Sequence, residues 1–272
     1  MTPKKTTPIK IIKVKNWSNN LVYLRTSRPE CFIFNAGQFA RIAAKTLNGI
    51  KNENLVWRAQ SLTSSPNDKF LEFLILLGKS GEFSKNVNEL RSRDILFLDN
   101  KNYGFLTLDR FRDVQDLWLF ATGSGIAPYL SIIKNFPGLK NISRVNLIHS
   151  LRDSQNLNRY TEFLNKEIIF KSVEIKRKLT YLPILTQEIT PLNGLVNGES
   201  IKYKSTKKRF TLMLSNGELE KLANCNLLPK KSKVMICGNP NMIRDTRNIL
   251  KNMGFIANRR DNDGEIAVEN YW

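Results

Sequence analysis

At 272 residues the chain is long enough to bury two medium-sized cores, and its 41% hydrophobic and 25% charged content is that of an ordinary globular protein. A single histidine, His149, removes His-rich metal sites and leaves little room for a Ser-His or Cys-His hydrolase. The three cysteines, Cys31, Cys225 and Cys237, show no CxxC spacing, which argues against a disulfide framework and fits a reducing cytoplasm.

The formal net charge of +19 has two readings. It is either a basic face that attracts an anionic partner, or a bias arising from Lys and Asn scattered along almost every segment. No apolar run approaches the length of a bilayer-spanning helix. Lys13 and Lys15 interrupt what would be the apolar core of an N-terminal signal, so none is expected.

In chain order, short strands are expected at Ile9–Trp17, Leu21–Arg28, Phe39–Ala44, Leu55–Leu62, Lys69–Leu77 and Asp94–Lys101, with one helix at Ser84–Leu90. Such a run predicts a small antiparallel six-stranded β-barrel. The pattern changes near Asp113. Asp116–Ala121 is a continuous apolar run, as in a strand buried on both faces. A helix at Pro128–Asn135, strands at Val145–Leu151, Tyr181–Thr186 and Lys233–Cys237, and helices at Arg159–Ile168 and Pro240–Met253 follow. This alternation predicts an α/β doubly wound parallel sheet. The expected domains are residues 1–113 and 114–272. Asn193–Arg209, polar and basic, reads as an inserted loop or hairpin.

Four motifs carry chemistry. Thr122-Gly123-Ser124-Gly125-Ile126-Ala127-Pro128 follows a buried strand and opens a helix, where glycines let a backbone approach a phosphate. A glycine turn is also ordinary α/β punctuation. Arg58-Ala59-Gln60-Ser61 ends a barrel strand, and Gly81-Glu82-Phe83-Ser84 opens the barrel helix; together they suit a pyrophosphate. Taken singly, Arg58 also reads as a solvated strand residue and Ser84 as an N-cap. Cys237-Gly238-Asn239-Pro240 ends a strand at the edge where open α/β sheets bind ligands, although a buried thiol there is commonly structural. Last come Glu269-Asn270-Tyr271-Trp272, whose aromatic pair suits either packing or stacking on a flat heterocycle.

In this order, and with Ser65-Pro66, Gly104-Phe105, Leu119–Ser131, Gly217–Glu220 and Cys237–Asp245, the chain resembles the bacterial-type ferredoxin (flavodoxin)–NADP reductase family over nearly its whole length. The resemblance implies an FAD-binding barrel followed by an NADP-binding domain. Hydride would pass from nicotinamide to flavin N5, and single electrons to ferredoxin or flavodoxin. It implies FAD contacts from Arg58, Gln60, Ser61, Leu62, Gly81, Phe83, Ser84, Tyr271 and Trp272. NADP contacts would come from Thr122, Gly123, Gly125, Arg152, Arg209, Gly238 and Asn239. Ser61, Cys237 and Glu269 are expected at the reacting centre. No metal and no nucleic acid are expected, and a cytoplasmic monomer is.

Two departures stand out. Gln60 replaces the family's flavin-stacking tyrosine. Thr186-Gln187-Glu188 lacks the family's arginine, and Gly194-Leu195 stands where Gly-Arg is expected, leaving Arg152 and Arg209 to recognise a 2′-phosphate. Two rival readings remain: an NAD(P)H-dependent reductase of free flavin, quinone or another carrier, and a basic nucleic-acid-binding protein on a flavoprotein scaffold.

Overall fold

The computed structural model describes residues 5–45, 55–168, 172–259 and 261–270. The chain divides into two compact units, Met1–Thr107 with Ala127–Asn135, and Leu108–Ile126 with Phe136–Trp272.

The first unit is a six-stranded sheet of β1 (Thr6–Ser18), β2 (Leu21–Ser27), β3 (Phe39–Lys45), β4 (Leu55–Ser61), β5 (Phe70–Leu76) and β6 (Ile95–Tyr103). Its order is β4-β3-β6-β1-β2-β5 and its ladders are antiparallel. Period-two alternation builds it: Ile9 and Ile11, Ala40 and Ile42, and Leu71, Phe73 and Ile75 all turn into one core. Leu62, just past β4, makes an isolated bridge to Phe73 of β5, with no continuous ladder between the two edge strands among the described residues. Sheet type and strand number thus match the expectation, while ladder closure into a barrel is not seen among the described residues.

Two helices belong to this unit, α1 (Glu82–Glu89) and α2 (Ala127–Lys134). β5 is buried on both faces. Its outward Glu72 is fully buried and pairs with Lys134 of α2, with the Tyr23 hydroxyl and with Arg25 Nη2 at 2.7 Å. Burial alone would raise this carboxyl. The surrounding Lys134, Tyr23 and Arg25 outweigh it and hold Glu72 below the usual carboxylate range.

The second unit is a seven-stranded sheet of β7 (Asp116–Thr122), β8 (Arg144–Leu151), β9 (Leu179–Leu185), β10 (Pro191–Val196), β11 (Glu199–Lys204), β12 (Ser232–Gly238) and β13 (Ile266–Asn270), ordered β11-β10-β9-β8-β7-β12-β13. The run from β9 to β13 is parallel, and β10 and β11 add an antiparallel hairpin at one edge. Its helices are α3 (Leu157–Glu167), α4 (Val173–Lys178), α5 (Phe210–Ser215), α6 (Glu218–Ala223) and α7 (Pro240–Asn252). Trp118, Phe120, Ile148, Leu182 and Ile236 form the centre of its main apolar cluster with Phe210, Leu219 and Ile243. The chain leaves β7 for β8 and β9 on one side, then returns to β12 on the other. The strand order therefore reverses between β7 and β12, the place where open α/β sheets hold ligands.

Three features go beyond the expected elements. The segment read as a loop or hairpin is a hairpin with a six-pair ladder, anchored by Ser205 Oγ donating to the Leu185 carbonyl at 2.7 Å and Tyr203 Oη donating to that of Pro183 at 2.5 Å. β13 was not anticipated, and neither were α4, α5 and α6. The barrel helix begins at Glu82 with Gly81 as its N-cap, so Ser84 lies inside the first turn and is not the cap.

Candidate functional site

β7 and β12 are neighbours in register, Phe120 opposite Ile236 and Ala121 opposite Cys237, so their C-terminal ends emerge side by side. A 3-10 turn, Gly123–Ile126, leaves β7. The Thr122 hydroxyl accepts the Asn239 N–H at 2.8 Å and so joins the two strand ends.

Each glycine here has its own physical reason. A Cβ on Gly125 would lie 2.5 Å from the Cys237 carbonyl oxygen, so only glycine lets the turn press on β12. On Gly238, at φ +136°, it would lie 2.1 Å from Thr122 Oγ1. Gly123 differs: its φ is +53°, and a Cβ there would meet nothing within 4 Å. The turn is thus packed tightly on its inner side and open at Gly123, which is the shape of a cradle for an approaching ligand backbone.

Cys237 is fully buried at the end of β12. Burial, with a smaller contribution from the nearby Glu269 carboxylate, pushes its thiol well above the usual range, so it stays protonated. Glu269 is its register partner on β13. Asn239 caps α7, its Oδ1 accepting from Asn241 N at 2.9 Å and Met242 N at 3.4 Å. Both its side chain and its N–H therefore serve the protein itself.

Past the end of β8, Arg152 is exposed and its carbonyl accepts from Gln187 N at 2.8 Å. Glu188 accepts from Ser154 N at 3.0 Å. Thr186-Gln187-Glu188 and the Arg152 loop are therefore laced together. Arg209 is exposed at the N-cap position of α5.

In the first unit, Arg58 and Gln60 lie two residues apart on β4 and so share a face. Arg58 is exposed, and its Nη1 donates to the Trp57 carbonyl of its own strand at 2.8 Å. Ser61 and Leu62 are buried at the strand's end. Ser61 Oγ and Thr63 Oγ1 are buried without a hydrogen-bond partner among the described residues. Such orphaned hydroxyls are costly unless something else satisfies them. Ser84 Oγ accepts from Gly78 N at 2.8 Å, which leaves its own O–H to donate; Phe83 is buried beneath the same turn. Tyr271 and Trp272 lie outside the described residues.

One residue of this region was not singled out as a site candidate from the sequence. His149, on β8 opposite Ala121, is fully buried and its Nε2 lies 2.9 Å from the Gly123 carbonyl oxygen. A lone histidine inside an apolar strand reads as core. Its one distinguishing signal is a place near the C-terminal end of a strand adjacent to the glycine turn.

The chain thus joins an antiparallel six-stranded sheet to a mostly parallel seven-stranded sheet with a glycine turn at its switch point. A crystal structure of a ferredoxin NADP+ reductase from Neisseria gonorrhoeae, with bound FAD and NADP, matches with a TM-score of 0.84 at 31% identity, over 98% of this chain and 99% of that one. The chain is 34% identical to the flavodoxin/ferredoxin–NADP reductase of Buchnera aphidicola subsp. Baizongia pistaciae over 97% of both chains. It is 28% identical to that of Escherichia coli (strain K12), again over 97% of both. The model of the ferric reductase NAD binding domain matches residues 114–251. This chain belongs to the flavodoxin/ferredoxin–NADP reductase family.

Proposed function

We propose that the protein transfers electrons between NADPH and ferredoxin or flavodoxin through bound FAD, with residues 1–113 binding the flavin and 114–272 the nicotinamide nucleotide. The observation that carries this reading is the glycine turn at the switch point, tight against Cys237 and Thr122 but open at Gly123. FAD, when bound, supplies exchange between a two-electron hydride donor and one-electron carriers.

The chain's own residues do the rest. Arg58 offers an exposed guanidinium for the FAD pyrophosphate, and the Ser84 O–H and the N–H groups of the Gly81–Phe83 turn face the same charge. Ser61, whose buried hydroxyl has no partner among the described residues, would donate to the flavin, beside the buried Leu62. Gln60 would lay a flat amide against the flavin where the resemblance implies a stacking tyrosine, and Tyr271 and Trp272, outside the described residues, would stack on the isoalloxazine and adenine portions of FAD. Thr122, Gly123, Gly125, Gly238 and Asn239 shape the nicotinamide site. Cys237 lines it with an uncharged thiol, and Glu269 provides the polar group across the ladder. Arg152 and Arg209 supply the cations for a 2′-phosphate, which favours NADPH over NADH.

In this reading the protein works as a cytoplasmic monomer and binds no nucleic acid. Its +19 charge steers acidic redox partners toward it. No helix among the described residues is long and apolar enough to cross a membrane.

The test is the visible spectrum of the purified protein followed by turnover with both nicotinamides. A flavin spectrum, bleached by NADPH and restored by oxidised ferredoxin or flavodoxin, is the expected result. Bleaching restored only by free flavin or quinone would replace the protein acceptor, and comparable efficiency with NADH would overturn the NADPH preference.

A further inference from the structure

His149 is the only histidine of the chain, and the reaction as proposed does not use it. Its ring is fully buried on β8, with Nε2 2.9 Å from the Gly123 carbonyl and Nδ1 3.4 Å from the Tyr181 hydroxyl. The edge of the imidazole meets Tyr160 at 4.6 Å between ring centroids and 86° between planes. A carbonyl only accepts, so Nε2 carries the proton and donates; Nδ1 then accepts from Tyr181, whose phenol burial keeps protonated. Burial pushes the imidazole down to about 4, so it is neutral at any physiological pH.

The bond adds an inward hold on the peptide at the start of the 3-10 turn. Gly123 has φ +53° and open space where a side chain would be, so its conformation is weakly determined by its own sterics. In a trans peptide the N–H of the next residue points opposite to the carbonyl. With the Gly123 carbonyl drawn to the imidazole, the N–H of Ser124, a residue itself 6% exposed, is directed away from the ring. As an early residue of the 3-10 turn, Ser124 finds no acceptor inside it.

We propose that His149 is a positioning residue for the nicotinamide dinucleotide: its Nε2–H holds the Gly123 carbonyl inward and so presents the Ser124 N–H to a phosphate oxygen of the ligand. This rests on the reading of the glycine turn as the nucleotide site. His149 contacts neither cofactor nor substrate; it acts through the peptide. Tyr160 and Tyr181 serve in turn to hold the ring in its tautomer and orientation.

The experiment compares NADP+ binding to FAD-loaded wild type, His149→Phe and His149→Gln. Phenylalanine keeps the ring and its edge contact but has no donor, and glutamine places an amide N–H near the position of Nε2. Losing one such bond is expected to weaken NADP+ binding and raise the NADPH KM by about tenfold in His149→Phe, with kcat within about twofold. In His149→Gln both return to within about threefold of wild type, and 2′-AMP, which lacks the pyrophosphate, binds all three alike. Equal NADP+ binding in His149→Phe, equal losses in both variants, or a parallel loss of 2′-AMP would overturn the assignment. Failure of wild type itself to bind NADP+ would instead defeat the reading of the site. Imidazole 15N resonances of the wild-type protein, unambiguous with one histidine, give a second test that needs no variant. A neutral Nε2–H tautomer whose resonances shift on NADP+ addition is expected. An Nδ1–H tautomer, or resonances that NADP+ leaves unmoved, would refute it.

Discussion

The two candidate half-sites are built in opposite ways. Around the glycine turn the protein satisfies itself: Thr122 takes the Asn239 N–H, His149 takes the Gly123 carbonyl, Gly125 packs on Cys237, and Asn239 caps α7. At the end of β4 it does not. Ser61 and Thr63 bury hydroxyls with no partner among the described residues, and Arg58 donates to the Trp57 carbonyl of its own strand. Under the proposed function, the difference teaches that the glycine turn is organised in advance for a ligand that comes and goes, while the end of β4 would be completed by a resident group whose binding repays the buried hydroxyls.

The largest expected effect breaks the organised half. Gly125→Ala and Gly238→Ala force backbone or Thr122 to move, whereas Gly123→Ala meets open space and adds only left-handed strain. NADP+ titration should show losses above about 100-fold for the first two and only about fivefold for the third. Similar losses in all three would mean that strain, not close packing, governs the turn.

Next is acid stability. The folded imidazole of His149 titrates at about 4, below the ordinary value of about 6.5. Between those values the unfolded chain takes up a proton that the folded chain refuses. Stability therefore falls as pH drops through that window, by up to about 3 kcal/mol, and is insensitive to this group below it. Denaturant titrations from pH 7 to 4 should show this slope, and His149→Phe should flatten it. Glu72, whose folded carboxyl is held low, adds its own loss as pH falls through the ordinary carboxylate value and below it, so the part of the slope above about pH 5.5 reports His149 and the His149→Phe comparison separates the two.

Arg58→Ala tests the incomplete half. Removing one charge-assisted contact should weaken FAD retention by about 30-fold, measured by flavin titration of the apoprotein, while NADP+ binding to protein saturated with FAD stays within about twofold. The smallest effect is expected at Gln60. Restoring an aromatic face with Gln60→Tyr should tighten FAD by about fivefold and shift the flavin potential. Unchanged affinity and potential would leave Gln60 without influence on the flavin.

Much of the fold was legible because the patterns are local. Alternation in β1 and β3 and the apolar runs Leu117–Ala121 of β7 and Val234–Cys237 of β12 speak for themselves in sequence. β13 is five residues long, with Glu269 and Asn270 polar, so no periodicity marks it; its place comes from the parallel ladder to β12. α4, α5 and α6 have six residues each, too short for a 3.6-residue pattern to emerge. The glycine turn was legible from its place after a buried strand. What it presses against was not, because Gly125 and Cys237 meet through the sheet and not through neighbouring sequence. The Glu72–Lys134 pair was equally invisible: each residue alone reads as a solvated charge, and they stand 62 positions apart.

The β10–β11 hairpin bears on how these molecules behave when crowded. Because β11 ends the sheet, its outer backbone is a template on which a strand of another chain could add. Lys202 and Lys204 stand exposed along that strand, and Lys207 follows soon after. A second copy approaching edge to edge would bring its own lysines against them. The hairpin thus lengthens the sheet while making its new border self-repelling, a guard against aggregation that weakens as salt screens the charge.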